Sequence, residues 1–583
     1  MAQAAQAGPV ISGFWVEIDG DQKNAIAHAL SKAQLKSADS RLLRLDLLQL
    51  GEELAAGSTA NILLPDPYGG EVEFVIRPSS VMPRQLAERY PSIRAFQGTA
   101  LNDSATTIRL ELTHKGLSAQ VMGVGGRWLI DPLPELGQEY ARSYRYTKSH
   151  HRKGESFCQL ESPGVLGRSV ETSDVLKLSN QRAKSTGESM RKYRIAVATT
   201  GEYGQFHGGT TAGALSAVVA TMNRVDGIFQ AELAIGLELI EQNDQVVFAD
   251  PLTDPFEGND DADTLIVESQ EQIDLLVGTD NYDVGHTLST GAGGLAGLGV
   301  VCREPNANNR FGKAGGVTGS GRPEGDFFDV DYVAHELGHQ FAAEHTWNGR
   351  KGLGCGPQQR SANSAYEPGS GSSIMSYAGL CAEDNIADMV DALFHHQSFE
   401  QITSYTRDGV GASCGTSEAT GNTAPVVNAG SDYIVPKQTP LVIEGSATDS
   451  EQQALLYSWE QRDLGPQAAL SDPDDGQVPL FRMLDAARSP IRYLPAFATV
   501  LSGIQDQKER LPQVGRDMAM RLTVKDSAGG VQSDDIVLTV DADSGPFRVT
   551  SPNGGERVGQ TKTIRWDTGF TEQAPVNTAL VDI

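Results

Sequence analysis

The chain has little of what marks membrane proteins and nucleic-acid-binding proteins. It contains no apolar run long enough to cross a bilayer, which predicts that no segment spans a membrane. Basic residues are in deficit, with 47 Lys and Arg against 75 Asp and Glu, and the net charge of −28 repels phosphate backbones and anionic lipid surfaces. We therefore expect a soluble globular protein that has no nucleic acid partner.

Cysteine is also scarce, and none of the five cysteines forms a close C-x-x-C pair, which argues against a zinc site made of thiolates. Two disulfides and one odd thiol are the simplest accounting. Disulfides predict an oxidising, extracytoplasmic setting, and the alternative is a cytosolic protein with unpaired buried thiols. The cysteines are Cys158, Cys302, Cys355, Cys381 and Cys414.

The N-terminus "MAQAAQAGPV" lacks the basic region and the apolar region of a signal peptide. Its small residues "AQAAQA" are compatible with the tail of a leader, and equally with an ordinary flexible N-terminus. The expectation of a secreted protein therefore does not depend on this segment.

A length of 583 residues exceeds what one core can organise, so several domains are expected. Residues 1–160 show short alternating stretches broken by Gly, Pro and Asp, which predict a β-rich domain with an early helix near Gln22 to Leu35. Residues 161–192 are polar and Ser-rich, as linkers are, and their basic residues predict processing between Arg182 and Lys192.

The segment 193–416 changes to an α/β pattern. "YRIAVATT" predicts a strand, "TAGALSAVVATMNRVDGIFQAEL" has apolar residues at helical spacing, and "AIGLELI" predicts a second strand. Strand, long helix and strand in this order favour an α/β (α+β) layered domain. The apolar helix positions are Leu215, Val218, Val219, Met222, Val225 and Phe229.

The C-terminal part of the chain changes composition again. Beyond a Gly-, Ser- and Thr-rich linker at 417–424, residues 425–543 alternate over short runs separated by turns, which predicts a β-sandwich. Residues 547–583 begin another such module and end before it would close. The predicted fold class is multidomain, with an α/β (α+β) domain between a β-rich domain and β-sandwich modules.

The stretch "HELGHQFAAEH" carries three histidines and a glutamate. His335 and His339 lie one helical turn apart, so both rings share a face and can hold one metal ion, with Glu336 beside them. His345 follows past the predicted helix end, where the chain can swing back and supply a third nitrogen. Zinc held by imidazoles lowers the pKa of bound water to about 7, and a carboxylate can take its proton as water attacks a carbonyl. The residues therefore predict amide hydrolysis.

This stretch resembles the zinc signature of the metzincin metallopeptidases, H-E-x-x-H-x-x-G-x-x-H, and "SIMSYAG" resembles their methionine turn. The lead-in "NYDVGHTLSTGAGGLAGLGVVC" is similar to that of the reprolysin-like (adamalysin-type) branch, so the resemblance covers most of 193–416 and is closest to bacterial secreted proteases. The resemblance implies the zinc ligands His335, His339 and His345, the base Glu336, and Met375 as the floor of the site.

Two positions depart from the family pattern. The family glycine between the second and third histidines is Ala342 here, and a left-handed backbone at that position would cost an alanine about 1 to 2 kcal/mol. Tyr377 stands two residues after Met375, where many reprolysins have proline and astacins and serralysins have tyrosine. In those enzymes the tyrosine binds zinc at rest and stabilises the oxyanion. The alternative for Tyr377 is a packed aromatic in the turn.

The resemblance also implies a pattern of disulfides and a means of latency. Cys302 and Cys414 are placed like a reprolysin disulfide, which leaves Cys355 to pair with Cys381. Cys158 is a candidate thiolate ligand that would silence a zymogen, with an incidental free thiol as the alternative.

The flanking domains resemble known companions of these proteases. Residues before 150 are similar to their propeptides, which cover the cleft until removed. The segment "APVVNAGSDYIVPKQTPLVIEGSATDSEQQALLYSWEQRD" resembles PKD-like immunoglobulin-type modules, with Trp459 as the core aromatic. Fold alone does not choose between substrate binding and a spacer role for such modules.

Other titratable residues of the sequence are weaker candidates for metal ligands. "ADPLTDPFEGNDDAD" concentrates carboxylates, but their spacing fits no calcium-loop pattern, so a solvated acidic loop is favoured over a Ca²⁺ site. His286, His395 and His396 lie apart from the signature and are expected to make local hydrogen bonds or face solvent. The acidic residues are Asp250, Asp254, Glu257, Asp260, Asp261 and Asp263.

The sequence as a whole predicts a secreted zinc metalloendopeptidase made as a zymogen, with proteins or peptides as substrates. One alternative is a gluzincin-type aminopeptidase, whose third ligand would be a distant glutamate instead of His345. The other is a surface adhesion protein with an inert protease-like domain. Cleavage preference and oligomeric state are not predicted.

Overall fold

The computed structural model describes residues 10–19, 23, 40–54, 59–146, 185–306 and 312–580, apart from Gly125, Ala292, Gln505 and positions 555, 558 and 560. The helix predicted near Gln22 to Leu35 and Cys158 lie outside the described residues, as does the processing region up to Lys184. Among the described residues, no helix has the length and apolar character needed to cross a membrane.

The N-terminal region, residues 10–146, is built on one ten-stranded sheet, as its alternating pattern predicted. Neighbouring strands pair antiparallel except β1 with β4, and the sheet order is β1-β4-β5-β6-β7-β8-β9-β10-β3-β2. Its core includes Leu43, Phe74 and Ile130. The elements are β1 (Val10–Ile11), β2 (Trp15–Glu17), β3 (Ser40–Leu45), α1 (Leu47–Glu53), β4 (Ala60–Pro65), β5 (Glu71–Pro78), α2 (Arg84–Arg89), β6 (Arg94–Ala100), β7 (Asp103–Thr113), β8 (Gly116–Gly123), β9 (Gly126–Pro132) and β10 (Tyr140–Arg145).

The central region, residues 189–419, is a mixed sheet flanked by helices. Its sheet order is β12-β11-β13-β15-β14, parallel except for the edge strand β14, and β16 adds antiparallel to the beginning of β11. The elements are β11 (Ser189–Thr199), α3 (Gly201–Phe206), α4 (Thr211–Leu233), β12 (Ile235–Leu239), α5 (Ala262–Val277), β13 (Val284–Ser289), β14 (Gly294–Ala296), β15 (Gly316–Gly319), a π-helical segment (Phe327–Ala334), α6 (His335–Gln340), α7 (His396–Arg407) and β16 (Thr416–Ala419).

Helix α4 connects this sheet to the metal-binding segment. The Thr210 side chain caps it by accepting the Gly213 N–H, and all six predicted apolar positions are buried. Near its end, Phe229 makes edge contacts with Phe341 and Phe394, with ring centroids 5.6 and 5.5 Å apart. The helix therefore supports the residues that follow α6.

The C-terminal region, residues 425–543, contains a four-stranded sheet with the order β18-β24-β23-β21 and two separate strand pairs, β17 with β20 and β19 with β22. Trp459 is buried in its core, and its indole N–H donates to the Pro490 carbonyl at 2.8 Å. The elements are β17 (Val426–Asn428), β18 (Tyr433–Pro436), β19 (Leu441–Glu444), β20 (Ser446–Thr448), β21 (Leu456–Gln461), β22 (Ile491–Leu494), α8 (Phe497–Ser502), β23 (Arg516–Lys525) and β24 (Val531–Asp541), followed by β25 (Arg548–Ser551) and β26 (Arg565–Asp567).

The three regions are joined by ion pairs. Arg109 of β7 lies 3.1 Å from Asp226 of α4, and Lys525 of β23 pairs with Glu232 of α4. A cavity of about 200 Å³ lies where the three regions meet, with residues of all three in its walls. Helix α4 is thus contacted from both sides.

Both cysteine pairs implied by the resemblance are joined as disulfides, Cys302 with Cys414 and Cys355 with Cys381. The first ties the loop after β14 to the residues just before β16. The second closes a shorter loop beside the methionine turn.

Removing the longer disulfide should destabilise the chain more than removing the shorter one. The bonds span sequence separations of 112 and 26 residues, for which the chain-entropy relation gives about 4.8 and about 3.5 kcal/mol. We expect Cys302→Ser/Cys414→Ser to lower the free energy of unfolding by roughly 1 kcal/mol more than Cys355→Ser/Cys381→Ser. Denaturant unfolding measures both values, and a reversed order would contradict the loop-length argument.

Candidate metal centre and active site

The first two histidines lie on one face of a short helix. The π-helical segment continues directly into α6, where His335 and His339 stand four residues apart. Gly338, between them, packs on the thioether of Met375, and a Cβ at this glycine would lie 2.3 Å from Sδ. No side chain fits at position 338, so the methionine approaches the helix at the level of the histidines.

The chain turns back after α6 through a left-handed residue. Ala342 has a φ of 78°, and its N–H donates to the His339 carbonyl at 2.8 Å. This backbone conformation costs a residue with a Cβ about 1 to 2 kcal/mol. The family pattern therefore identified a strained position correctly, and the turn forms with alanine there. The turn carries His345 back towards α6.

Each of the three histidines is oriented by a main-chain carbonyl that accepts from its Nδ1. A carbonyl oxygen can only accept, so each Nδ1 carries the proton and each Nε2 presents a lone pair. The pairs are His335 with Ile374 at 2.6 Å, His339 with Ala343 at 2.7 Å, and His345 with Gln359 at 2.6 Å.

The three Nε2 atoms converge. Nε2 of His339 lies 3.1 Å from Nε2 of His335 and 3.0 Å from Nε2 of His345. A tetrahedral zinc ion with bonds of about 2.0–2.1 Å separates its ligand atoms by roughly 3.4 Å, so small ring movements accommodate the ion. Three neutral imidazoles with a fourth position open are the donor set of catalytic zinc. The residues present therefore fit zinc.

Burial keeps these imidazoles in the form that binds metal. It lowers the pKa of His335 to about 3 and that of His339 to about 4. Burial also holds the pKa of His345 well below its ordinary value, and the other two histidines add to the shift. All three rings are thus neutral at pH 7.

Glu336 is buried beside the histidines and lies against the edge strand β14. A Cβ at Gly294 would come within 2.0 Å of its Oε1 atom and 2.7 Å of its carboxyl carbon. The carboxylate therefore occupies the space that any side chain at position 294 would take. Sequence reasoning missed Gly294, because its role is to leave room, and only the glycine-rich lead-in hints at it.

The methionine turn is organised by a second buried carboxylate. Glu367 accepts the backbone N–H groups of Ser372 and Ser373 at 2.8 and 3.1 Å and the hydroxyl of Thr346 at 2.5 Å. These bonds join the turn that holds Met375 to the residue that follows the third histidine. The sequence contains no motif that singles out Glu367.

Tyr377 packs among the ligands. Its ring centroid lies 4.5 Å from that of His345 and 5.9 Å from that of His335, and it stacks on Trp347 at 5.1 Å. Its hydroxyl lies 3.5 Å from the Gln359 side-chain oxygen. The tyrosine is thus a packed aromatic whose ring lies against two of the three histidines.

The isolated histidines make local contacts. His286 Nδ1 lies 2.9 Å from the side-chain oxygen of Gln340. Glu460, in the C-terminal region, accepts the His396 backbone N–H at 2.7 Å and lies 3.4 Å from the ring of His395. None of these three rings belongs to the cluster formed by the zinc-type ligands.

Carboxylates of the acidic loop accept nearby backbone N–H groups. Asp250 accepts from Leu252 at 3.0 Å, and Asp261, at the N-terminus of α5, accepts from Asp263 at 3.2 Å. Such bonds are typical of turns and helix caps. The solvated acidic loop stays the favoured interpretation of this segment, with a Ca²⁺ site as its alternative.

A family model described as metallo-peptidase family M12B, reprolysin-like, matches residues 189–406. The matched range begins with β11, ends within α7 and contains the three histidines, Glu336 and Met375. No curated protein matches the chain.

Replacing Gly294 by alanine should displace the Glu336 carboxylate, because the new Cβ would overlap with Oε1. We expect zinc binding to be kept and peptide hydrolysis to fall by roughly 100-fold or more, the contribution of a positioned general base. The same substitution at Gly321, where a Cβ meets nothing within 4 Å, is the control. If Gly294→Ala hydrolysed peptides as fast as Gly321→Ala, this placement of Glu336 would be contradicted.

Proposed function

We propose, from the match of residues 189–406 to the reprolysin-like metallo-peptidase family M12B, that the chain is a secreted zinc metalloendopeptidase made as a zymogen. The observation that carries the catalytic assignment is the convergence of three neutral imidazole Nε2 atoms beside the buried Glu336 carboxylate. Proteins or peptides are the substrates.

His335, His339 and His345 would hold zinc through Nε2, and Glu336 stands next to them as the base. The chemistry that zinc supplies when bound is a water whose pKa is near 7. Glu336, beside these ligands, would accept the proton of the water that attacks the peptide carbonyl and would pass it to the amine nitrogen that leaves. Gly294 keeps the space in which the carboxylate lies.

We assign Tyr377 to stabilisation of the oxyanion. Its ring lies against His345 and its hydroxyl is oriented towards Gln359. A phenol near the metal can donate to the oxygen that becomes negative during attack. Stacking on Trp347 limits the positions that its ring can take.

Contacts of the N-terminal region with the walls of the site support the zymogen proposal. Arg127 of β9 donates to the Val390 carbonyl at 2.7 Å and lies 2.9 Å from Asp326. Val390 lines the same hollow as His335 and Glu336. The N-terminal region thus places a buried arginine beside the cleft. Removal of the N-terminal region would expose this wall of the cleft.

The paired backbone after residue 185 limits where processing would occur. Thr186 exchanges backbone hydrogen bonds with Val531, and Arg191 and Lys192 belong to β11, where Lys192 pairs with Glu418. A protease needs an unpaired strand of substrate. We therefore place the cleavage at Arg182 or Lys184.

The two disulfides support secretion, because such bonds persist in oxidising compartments. The buried Trp459 and the short paired strands around it support a PKD-like β-sandwich for the C-terminal region. The position of His345 disfavours the gluzincin alternative, since it supplies the third nitrogen. The complete set of ligands and base disfavours an inert adhesion domain.

Substitutions should separate metal binding from catalysis. Glu336→Gln is expected to keep zinc and lose casein or peptide cleavage by roughly 100-fold or more, because the amide cannot accept the proton. His345→Ala is expected to lose zinc as well. Zinc content by metal analysis and chelator-sensitive proteolysis measure both. Undiminished cleavage by Glu336→Gln would rule out the assigned base, and a zinc-loaded His345→Ala would revive the gluzincin alternative.

Acid should weaken the contact of the N-terminal region at His207. Nδ1 of this ring lies 2.8 Å from Lys115 Nζ, and Nε2 lies 3.1 Å from the Pro323 carbonyl. Burial, with the charges of Lys115 and His114, lowers the pKa of His207 to about 3. A lowered pKa stabilises the contact above about pH 6.5, and this stability is lost as the pH falls towards 3.

The measurement is the dissociation constant of the cleaved N-terminal region from the remainder of the chain, at pH 7 and at pH 5. His207 contributes at most about a 30-fold weakening at pH 5. His207→Gln can still accept from Lys115 but does not titrate, so its loss of affinity should be smaller. The comparison with this variant is needed because burial raises the pKa of Asp329 to about 7, which acts in the opposite direction. Identical pH responses of the two proteins would contradict the assignment.

A further inference from the structure

We propose that the C-terminal region positions the third zinc ligand. Its loop of residues 465–472, here called the support loop, holds the segment whose carbonyl orients His345. The support loop would therefore act on metal binding, whereas a module attached as a spacer would not. This inference rests on the zinc site described above.

The carbonyl that orients His345 belongs to an irregular segment. Gln359 O accepts from His345 Nδ1 at 2.6 Å. Residues 348–360, all of which the structure describes, form no helix or strand. Such a segment has no regular backbone pairing to fix it, so its position depends on what it contacts. One fixed point within it is the disulfide of Cys355.

Both ends of this segment bind the support loop. Arg360, the residue after Gln359, donates to the Gly465 carbonyl at 2.7 Å. At the other end, Asn348 donates its side-chain N–H to the Pro466 carbonyl at 3.1 Å, and its own carbonyl accepts the Ala468 N–H at 3.2 Å. The two ends are also joined directly, because Arg360 Nε donates to Asn348 Oδ1 at 2.9 Å.

The middle of the segment is bound by one glutamine. Gln467 Nε2 donates to the Gly349 carbonyl at 2.7 Å and to the Cys355 carbonyl at 3.2 Å. A single side-chain amide of the support loop therefore binds the irregular segment at two points. Its removal leaves both carbonyls without this donor.

A third set of contacts involves Asp384, which follows the methionine turn. Its carboxylate accepts the backbone N–H groups of Arg350 and Lys351 at 2.9 and 3.0 Å, and it also accepts the Leu470 N–H at 2.9 Å. Arg350 in turn lies 2.9 Å from Asp472. The support loop thus binds the segment directly and through a shared acceptor.

Burial makes these bonds consequential. Asn348 is 2% exposed, and its backbone N–H also donates to the backbone carbonyl of Glu367 at 2.9 Å, the residue whose carboxylate organises the methionine turn. Buried polar groups that lose their partners cannot replace them with water, so breaking one bond shifts the network. A shift of Gln359 would change the direction of the His345 ring, and partners that orient ligands typically contribute 10- to 100-fold to metal affinity.

The first test uses the full chain with Glu336→Gln, which prevents self-cleavage. Adding Gln467→Ala should raise the zinc dissociation constant roughly 10-fold or more in chelator competition and should alter the absorption spectrum of the Co²⁺ form. The control is Gln453→Ala, which removes a glutamine of the same region whose amide donates to Asn422. If the Gln467→Ala chain had the same zinc affinity and the same Co²⁺ spectrum as the control, the inference would be overturned. Absence of zinc from the parent chain would instead remove the proposed function.

The second test needs no substitution and remains informative if Gln467→Ala does not fold. Hydrogen–deuterium exchange of the same chain is measured with and without zinc. Because coupling is reciprocal, zinc should slow exchange at the Ala468 and Leu470 amides, which donate to Asn348 and Asp384. The amide of Val537, which donates to Asp432 within the C-terminal region, should not change. Protection around His345 without protection at Ala468 and Leu470 would refute the coupling.

Discussion

Three hydrogen bonds from imidazole Nδ1 atoms to main-chain carbonyls determine the geometry of the metal site. They fix the tautomer of each ring and the direction of each Nε2 lone pair. The three acceptors come from different parts of the fold: Ile374 precedes the methionine, Ala343 follows the left-handed turn, and Gln359 lies in the irregular segment. Everything that places these carbonyls therefore contributes to metal binding, including residues far from the histidines in sequence.

This dependence explains which parts of the site the sequence predicts. The spacing of His335 and His339 and the apolar face of α4 are encoded in side chains, and both were predicted from the sequence. The sheet-rich N-terminal region was likewise indicated by its alternation. Only the family pattern, which has a glycine at position 342, pointed to the question of a left-handed backbone there, and Ala342 has a φ of 78°.

The remaining features have no signature in the sequence. Gln359 acts through a carbonyl that every residue possesses, and Gly294 acts by the absence of a side chain. Glu367 and Asn348 act through buried bonds between segments that are close only after folding. The region boundaries also depend on tertiary pairing, because β11 begins at Ser189 and β16 extends to Ala419, within segments expected to be linkers.

Three buried arginines lie where the regions of the chain meet. Arg109, Arg127 and Arg521 are buried, and each pairs with a carboxylate of another region. Removing one partner of a buried ion pair is strongly destabilising, because it leaves the other charge buried and uncompensated. Two regions docked in a different arrangement would leave these charges unpaired in the same way. These arginines therefore specify how the three regions fit together more than they add to overall stability.

The early residues of β11 have a consequence for the proposed removal of the N-terminal region. Ser189 to Lys192 pair with β16, and Thr186 is bonded to Val531 beyond the central sheet. A cut just ahead of these residues would create a new chain terminus that is already anchored, with neighbours on either flank. On the proposal of a zymogen, the enzyme left after the cut would keep the strand pairings that these residues already make in the uncut chain.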